Sequence, residues 1–581
     1  MAKNESKLHY KVSIPEPHTH YLKVEMEIDD VNVDDLAVKM AVWTPGSYLV
    51  REFSKSVENF EAFDKKGNAL DFDKTRKNVW SIKTNGSKKV KVTYDVYAFE
   101  LSVRTSFVDA DMAYLNGTSI FMWVDGRQQE ASTIEFDVPD AWPTITTALK
   151  KKDGKNDKVR VCDNYDMIAD SPILIGDHDV YDFEALGIPH HIAFAGEGNY
   201  DIEKVKADFT KIAEVTTDVF GENPVDDYTF IIINTENGRG GLEHLYSCSM
   251  MYPRWGYSDR RSYVSFLSLT THEYFHLWNV KRARPIELGP FDYENETYTH
   301  LLWVAEGFTS YYDEYLLRRC EFVDDRGYLD MVENVINRYE GAEGKRVQSL
   351  NEASFDAWIK FYRRNENTNN CCISYYGKGA LIALMLDMEI RKSTKGEKSL
   401  DDVMLIFWNK YYKELNRGFS SAEVQQACEQ VAGKSLQEFF DKYIDGTAEI
   451  DYNEFLNTVG LQANLNANSK KAYLGIGTKY EKGKLTITSV KRSGAAYEHG
   501  LNANDEIIAI DGYRIGDDVG AFTKHYDIGD KVIFTISRAG KLREIEVTLG
   551  ENTSPRFSIS KMDNATAQQK AAYEKWMGGA F

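Results

Sequence analysis

The hydrophobic period changes twice along this chain, which divides it into segments of different fold. From residue 8 to about 185, apolar and polar residues alternate in "YLKVEMEI", "LAVKMAVW", "KVKVTYDVYAF", "STIEFDV" and "KVRVC", separated by "KKGN", "KTNGSKK" and "KKDGKND". Period-two alternation broken by Gly, Asn, Asp and Lys turns predicts antiparallel sheet with one wet face. From about 200 to 455 the period is helical, as in "DIEKVKADFTKIAEVTTDVFG" and "GALIALMLDMEIRKST", with one early strand-like run, "YTFIIINTENG" at 228–238. Strands return after 472 in "YLGIGTKYE", "KLTITSV", "EIIAIDG", "KVIFTISRAG" and "REIEVTLG". Between them, "LQANLNANSKKA" (461–472) suits a linker, and the end, "TAQQKAAYEKWMGGAF", reads as a short helix or a loose tail.

The expected fold class is therefore multidomain α+β. It comprises a β-sandwich-like domain over 1–185, a small sheet with a mostly helical body over 186–460, a β-rich domain over 461–552 and a tail over 553–581. A chain of 581 residues is too long for a single core.

Charge narrows the partners. Lys and Arg number 70 against 90 Asp and Glu, a formal net charge of −20, which argues against a nucleic-acid groove or an anionic membrane as main partner. The six cysteines form no CxxC pair and read as buried thiols. The start, "MAKNESKLHYKVSIPEP", lacks the apolar run of a signal peptide, and no stretch approaches the ~20 apolar residues of a membrane span. The expectation is a cytoplasmic chain, or a periplasmic or exported one if it is a trimmed form.

Chemistry concentrates at "THEYFHLWNV" (271–280). On a helix, positions i and i+4 share a face, so His272 and His276 can offer imidazole nitrogens to one cation, with Glu273 in reach of a water there. Zinc would bring that water's pKa to about 7, and a neighbouring carboxylate could move its proton. The same pattern fits a core helix, since Tyr274, Phe275 and Trp278 bury it regardless. A third ligand separates the two readings. "LLWVAEGFTSYYDEYLL" puts Glu306 in an apolar stripe, where a carboxylate is costly unless paired or bound to a cation. The ligand role is favoured over a wet-side or Arg-paired glutamate, and Asp313 and Glu314 read as supporting or surface groups.

Two more stretches gain meaning beside this one. In "GRGGLEHLYS" (238–247), Gly240 and Gly241 let extended backbone pass close to a ligand, and Glu243 could hold a free α-ammonium. The alternative is a Gly-rich turn with a local cap. In "CCISYYGKGALIALMLD" (371–387), Tyr375 and Tyr376 stand at a helix entrance, where a phenol could donate to a developing oxyanion or simply pack.

Together, "GGLEH", "HEYFHLWNVKR", "LLWVAEGFTSYY" and "SYYGKGAL", with "WTPGSYLVREF" (43–53), resemble the glycyl aminopeptidase family of zinc metallopeptidases, in the thermolysin-like group with a glutamate third ligand. The resemblance implies a thermolysin-like catalytic domain and one Zn2+ per chain on His272, His276 and Glu306. It implies Glu273 as general base, Glu243 as the amine anchor and Tyr376 as the transition-state tyrosine, with Tyr375 as fallback. It further implies peptides with a free N-terminus as substrates and glycine or alanine as the released residue. Two features depart from the wider thermolysin-like pattern: the 29 residues between His276 and Glu306, and Ser at 310 where an aspartate would support a zinc-bound histidine. "YLGIG" and "SGAAYEHGLNANDEIIAIDGYRI" resemble a PDZ domain, which implies a possible peptide C-terminus as partner. The competing functions are a zinc endopeptidase with PDZ-delivered substrates and an inactive peptide-binding adaptor.

Overall fold

The computed structural model describes residues 6–152, 156, 158–466 and 471–581. Parts of the turn "KKDGKND" and of the expected linker lie outside the described residues. The chain divides into two compact units, one of residues 1–298 with 315–322 and 404–419, the other of 299–314, 323–403 and 420–581.

The first unit opens with the expected sandwich. A seven-stranded sheet carries Leu8–Ser13 between Ser132–Asp137, its parallel neighbour, and Tyr21–Ile28, its antiparallel one. Facing it is a four-stranded sheet in the order Trp123–Val124, Asp35–Lys39, Val79–Lys83, Phe72–Arg76. Alternation does the work: Leu22, Val24, Met26 and Ile28 point inward and share one core with Leu36, Val38 and Ile82 of the other sheet. Each such side chain contributes roughly 1.5–3 kcal/mol by leaving water. A third sheet supplies Tyr114 and Leu174, which pack on Ala193, Ala195, Ile231 and Ile233 of the sheet that follows.

That next sheet has the order Asp179–Ala185, Ile188–Ala195, Tyr228–Thr235, Ser247–Pro253, Gly240–Glu243. Sequence periodicity found only its central strand. Tyr228–Thr235 is buried along its whole length and reads as a continuous apolar run because both its neighbours are parallel and both its faces covered. The Gly-rich segment is not a turn: Gly240–Glu243 is the edge strand, antiparallel to Ser247–Pro253. The helix Arg260–Phe275 follows, started by Asp259, whose carboxylate accepts from Ser262 N at 2.8 Å.

In the second unit the helix Tyr375–Ser393 is buried over most of its length. The expected apolar helix after residue 301 is not uniform: Trp303–Phe308 is π-helical, and α-helix runs only over Thr309–Arg319. The C-terminal sheet has the order Ile476–Glu481, Lys484–Val490, Glu506–Ile510, Lys531–Arg538, Lys541–Thr548, around its own core of Ile487, Leu501, Ile510, Val532 and Phe534.

One expectation needs correction here, and one open alternative is decided. The presumed linker begins as a strand, Leu461–Asn466, paired antiparallel with Arg556–Lys561. The end is the helix Ala567–Met577, opened by a capping box at Thr566, with Tyr573 and Trp576 buried. It is docked rather than loose: the Tyr573 hydroxyl donates to Asp325 at 2.6 Å, and Asn337 and Glu333 bond the backbone of Phe557 and Ile559. Five cysteines are buried as expected, but Cys371 is half-buried. Among the described residues, no helix is long and apolar enough to cross a membrane.

Candidate metal centre and amine site

The helix Arg260–Phe275 is fixed by its core face. Asn223 donates to the Tyr274 hydroxyl at 2.8 Å, and the His190 Nε2 lies 2.9 Å from it. Trp278 stacks on Phe220 and donates to the Glu222 carbonyl at 3.1 Å. Thr270 and Thr271 return their hydroxyl protons to the Phe266 and Leu267 carbonyls, so the hydroxyls of these β-branched residues are satisfied within the helix. With Tyr274 and Trp278 committed to the core, His272, Glu273 and His276 occupy the other side. His276 is the C-terminal cap and still bonds from its N–H to the His272 carbonyl at 3.2 Å, which keeps the i, i+4 relation. The two imidazoles stand perpendicular, 4.6 Å between centroids.

His272 and His276 belong to the first unit and Glu306 to the second. Glu243, Glu273 and His276, all of the first unit, each offer an atom able to hold a metal ion, and these atoms lie within 4.8 Å of one another. His276 Nδ1 lies 2.7 Å from the Asn279 carbonyl, so Nδ1 carries the proton and Nε2 keeps its lone pair, the tautomer a metal ligand needs. Glu306 sits in the π-helical turn, 2 % exposed, and such turns frequently mark functional sites.

The edge strand brings glycines against the carboxylate. A methyl group at Gly241 would overlap the Glu273 side chain, so only glycine lets this strand pass. Gly240 borders Arg104 instead, and Arg104 donates to the Gly241 carbonyl at 3.2 Å. Glu243 and Glu273 are both buried.

A buried ion network holds the segments that flank these groups. Asp170 pairs with Lys281 at 2.7 Å and with His244 Nδ1 at 3.1 Å, and accepts from Leu245 N at 2.8 Å. Burial pushes the Asp170 carboxyl up, but the charge of Lys281 and the bond and charge of His244 outweigh it and hold the group at about 2.

Tyr375 and Tyr376 open their helix, with Ser374 as cap. Tyr375 is wholly buried and Tyr376 half-exposed, both rings beside Phe361. Of the two, Tyr376 is the one that solvent reaches, whereas the Tyr375 hydroxyl is buried. Asp313 is buried rather than a surface group, and Glu314 is half-buried, its carboxyl pushed up to about 8 by burial first and by Asp313 second.

The chain is similar to known proteins. The profile of the Peptidase M61 N-terminal domain matches residues 9–177, that of the M61 glycyl aminopeptidase matches 265–382, and that of a PDZ domain matches 472–549. The crystal structure of an aminopeptidase N family protein from Idiomarina loihiensis is 31% identical over 98% of this chain and all of its own, with a TM-score of 0.91. The chain belongs to the M61 glycyl aminopeptidase family. This M61 peptidase also shares its fold with an M1 zinc metallopeptidase from Deinococcus radiodurans, at 11% identity, 76% and 94% coverage and a TM-score of 0.50. Among curated proteins none matches it.

Several residues of this M61 peptidase escaped the sequence reading. Asp170 had no signal, because its partners lie 74 and 111 positions away. Lys378 sits inside "YYGKGA" with no local pattern to mark it. It is 1% exposed, its ammonium has no hydrogen-bond partner among the described residues, and burial lowers its pKa to about 8. Gly46 was part of the quoted "WTPGSY" but had no role.

Proposed function

We propose that this chain is a zinc-dependent aminopeptidase that removes small N-terminal residues, glycine or alanine, from peptides. The grouping of Glu243 with Glu273 and His276 carries this reading. Two buried carboxylates so close favour a cation between or beside them, and the α-ammonium is a cation that every aminopeptidase substrate brings.

The donor set suits zinc. Two imidazoles and one carboxylate leave a fourth position open in hydrolytic zinc sites, one such set argues for one ion per chain, and the His276 tautomer is already fixed. The description of the Idiomarina relative as an aminopeptidase N family protein supports the same class. Bound there, zinc would supply Lewis acidity, polarising the scissile carbonyl and lowering the pKa of water toward about 7. Glu243 would hold the ammonium and so register the first peptide bond. Glu273 would take a proton from the attacking water and pass it to the leaving amine. The Tyr376 hydroxyl would donate to the carbonyl oxygen as it gains charge. The preference for glycine or alanine rests on the family. At the PDZ domain, Ile476–Glu481 is a sheet-edge strand to which a peptide C-terminus could add as a further strand.

The test joins metal analysis to a panel of aminoacyl anilides and their N-acetylated counterparts. One zinc per chain, cleavage of glycyl and alanyl substrates and none of the acetylated ones is expected. Equal cleavage of acetylated peptides would instead favour an endopeptidase, and protein without metal or hydrolysis a binding adaptor.

A further inference from the structure

The "WTPGSY" stretch lies against the proposed amine anchor. Pro45 and Gly46 are the central residues of a tight turn in which Ser47 N donates to the Thr44 carbonyl at 3.1 Å. Proline first and a glycine with φ of +84° second is the pattern of a type II turn. The turn has little freedom. Trp43, Thr44, Ser47 and Tyr48 are all buried, Trp43 donates to the Asp292 carbonyl at 2.7 Å, and Arg51 donates to the Ser47 hydroxyl at 3.0 Å.

Gly46 faces Glu243. A Cβ on Gly46 would stand 2.7 Å from Oε1, 2.9 Å from Oε2 and 2.7 Å from the Leu242 Cδ1. No real Cβ approaches both oxygens of a carboxylate so closely, so the backbone of this turn is the wall on which the carboxylate rests. Beside it lies a cavity of about 20 Å³, bordered by Trp43, Pro45, Gly46, Tyr48 and Glu243, room for about one water molecule. Glu243 belongs to an edge strand, which among the described residues has no sheet partner on its outer side to fix it. The N-terminal β region makes up for this along the strand: Arg104 at the Gly241 carbonyl, Gly46 at Glu243, Asp170 at His244 and Leu245.

We infer that Gly46 is a positioning residue for the amine site: the Pro45–Gly46 turn of the N-terminal β region sets where the Glu243 carboxylate stands. The inference rests on the reading of Glu243 as the ammonium anchor. It assigns the β region a share in substrate recognition, because a side chain at 46 would move the carboxylate without touching the groups that carry out hydrolysis.

The experiment measures kcat and KM for a glycyl anilide in the full-length enzyme. It compares Gly46→Ala, Glu243→Gln and, as control, Gly67→Ala. Gly67 has the same φ of +84° with nothing within 4 Å of a new Cβ, so this control carries the backbone strain without the contact. Gly46→Ala should raise KM about tenfold or more with kcat changed less than about threefold, while Gly67→Ala leaves both as in the parent. Ser47→Ala, which frees the turn from Arg51 without adding bulk, should raise KM in the same direction by a smaller factor and serves if Gly46→Ala does not fold. If Glu243→Gln raises KM but Gly46→Ala and Ser47→Ala match the control, the inference is overturned and the amine reading stands. If Glu243→Gln leaves KM unaltered, the amine reading fails and the inference falls with it.

Discussion

Gly307 and Gly379 meet backbone to backbone. A Cβ on Gly307 would stand 2.5 Å from the Gly379 Cα, and one on Gly379 would stand 2.8 Å from the Gly307 Cα. The π-helical turn that carries Glu306 thus crosses the helix that carries Tyr376 at its closest possible approach, and neither element can accept a side chain at that point.

Gly307→Ala is therefore expected to destabilise the protein by about 3 kcal/mol, the upper range for overpacking, because the atoms in the way are backbone and cannot rotate aside. Displacing the turn also displaces Glu306. Urea denaturation read together with zinc stoichiometry should show both losses; a variant with parental stability and full metal would contradict the crossing.

Asp170→Asn tests the buried ion network. The group is held at about 2, below its ordinary 3.8, so its contribution is complete above pH 3.8 and disappears as pH falls through about 2. At pH 7 the loss should be about 2 kcal/mol. Lys281 is buried beside it and would lose its carboxylate partner, which adds to the cost. Thermal melts of parent and variant between pH 2 and 7 should converge at the acid end; a constant difference across the range would exclude the linkage.

Lys378→Met is expected to stabilise. The buried ammonium titrates at about 8 in the folded chain against 10.5 when unfolded. Below pH 8 both states bind the proton and the penalty is constant, on the order of 3 kcal/mol. Between 8 and 10.5 the unfolded chain binds more protons, so parental stability climbs with pH. The variant should be more stable at pH 7 and lack that climb, as denaturation at pH 7, 8, 9 and 10 would reveal.

What the sequence made legible follows the range of the forces involved. His272 and His276 are four apart on one helix, and Glu306 stands out as a carboxylate in an apolar stripe, so local spacing and composition expose them. The alternating strands of the N-terminal region were visible because one face is wet. Ser247–Pro253 was not, since a strand largely buried on both faces carries no period-two signal. The π-helical turn at Glu306 was hidden because its residues are as apolar as those of an ordinary helix. Asp170 and Gly46 were out of reach for another reason: their effect exists only through partners more than 70 positions away, which no local pattern encodes.

Glu273 and Gly241 supply the sharpest test of the proposed chemistry. Glu273→Gln keeps the size of the side chain and removes its ability to take a proton, so zinc content should match the parent while kcat falls by roughly 10²–10⁴-fold. Gly241→Ala should act on the same group from outside. Its new methyl would occupy the position of the Glu273 carboxylate, so the side chain must turn away or the edge strand must move. Loss of kcat with zinc retained is expected here too. In the Glu273→Gln background Gly241→Ala should then add little further loss of kcat, since two changes that disable one group are not additive. Full additivity of the two in kcat would mean that Gly241 acts elsewhere and that Glu273 is not the proton carrier held in place by this strand.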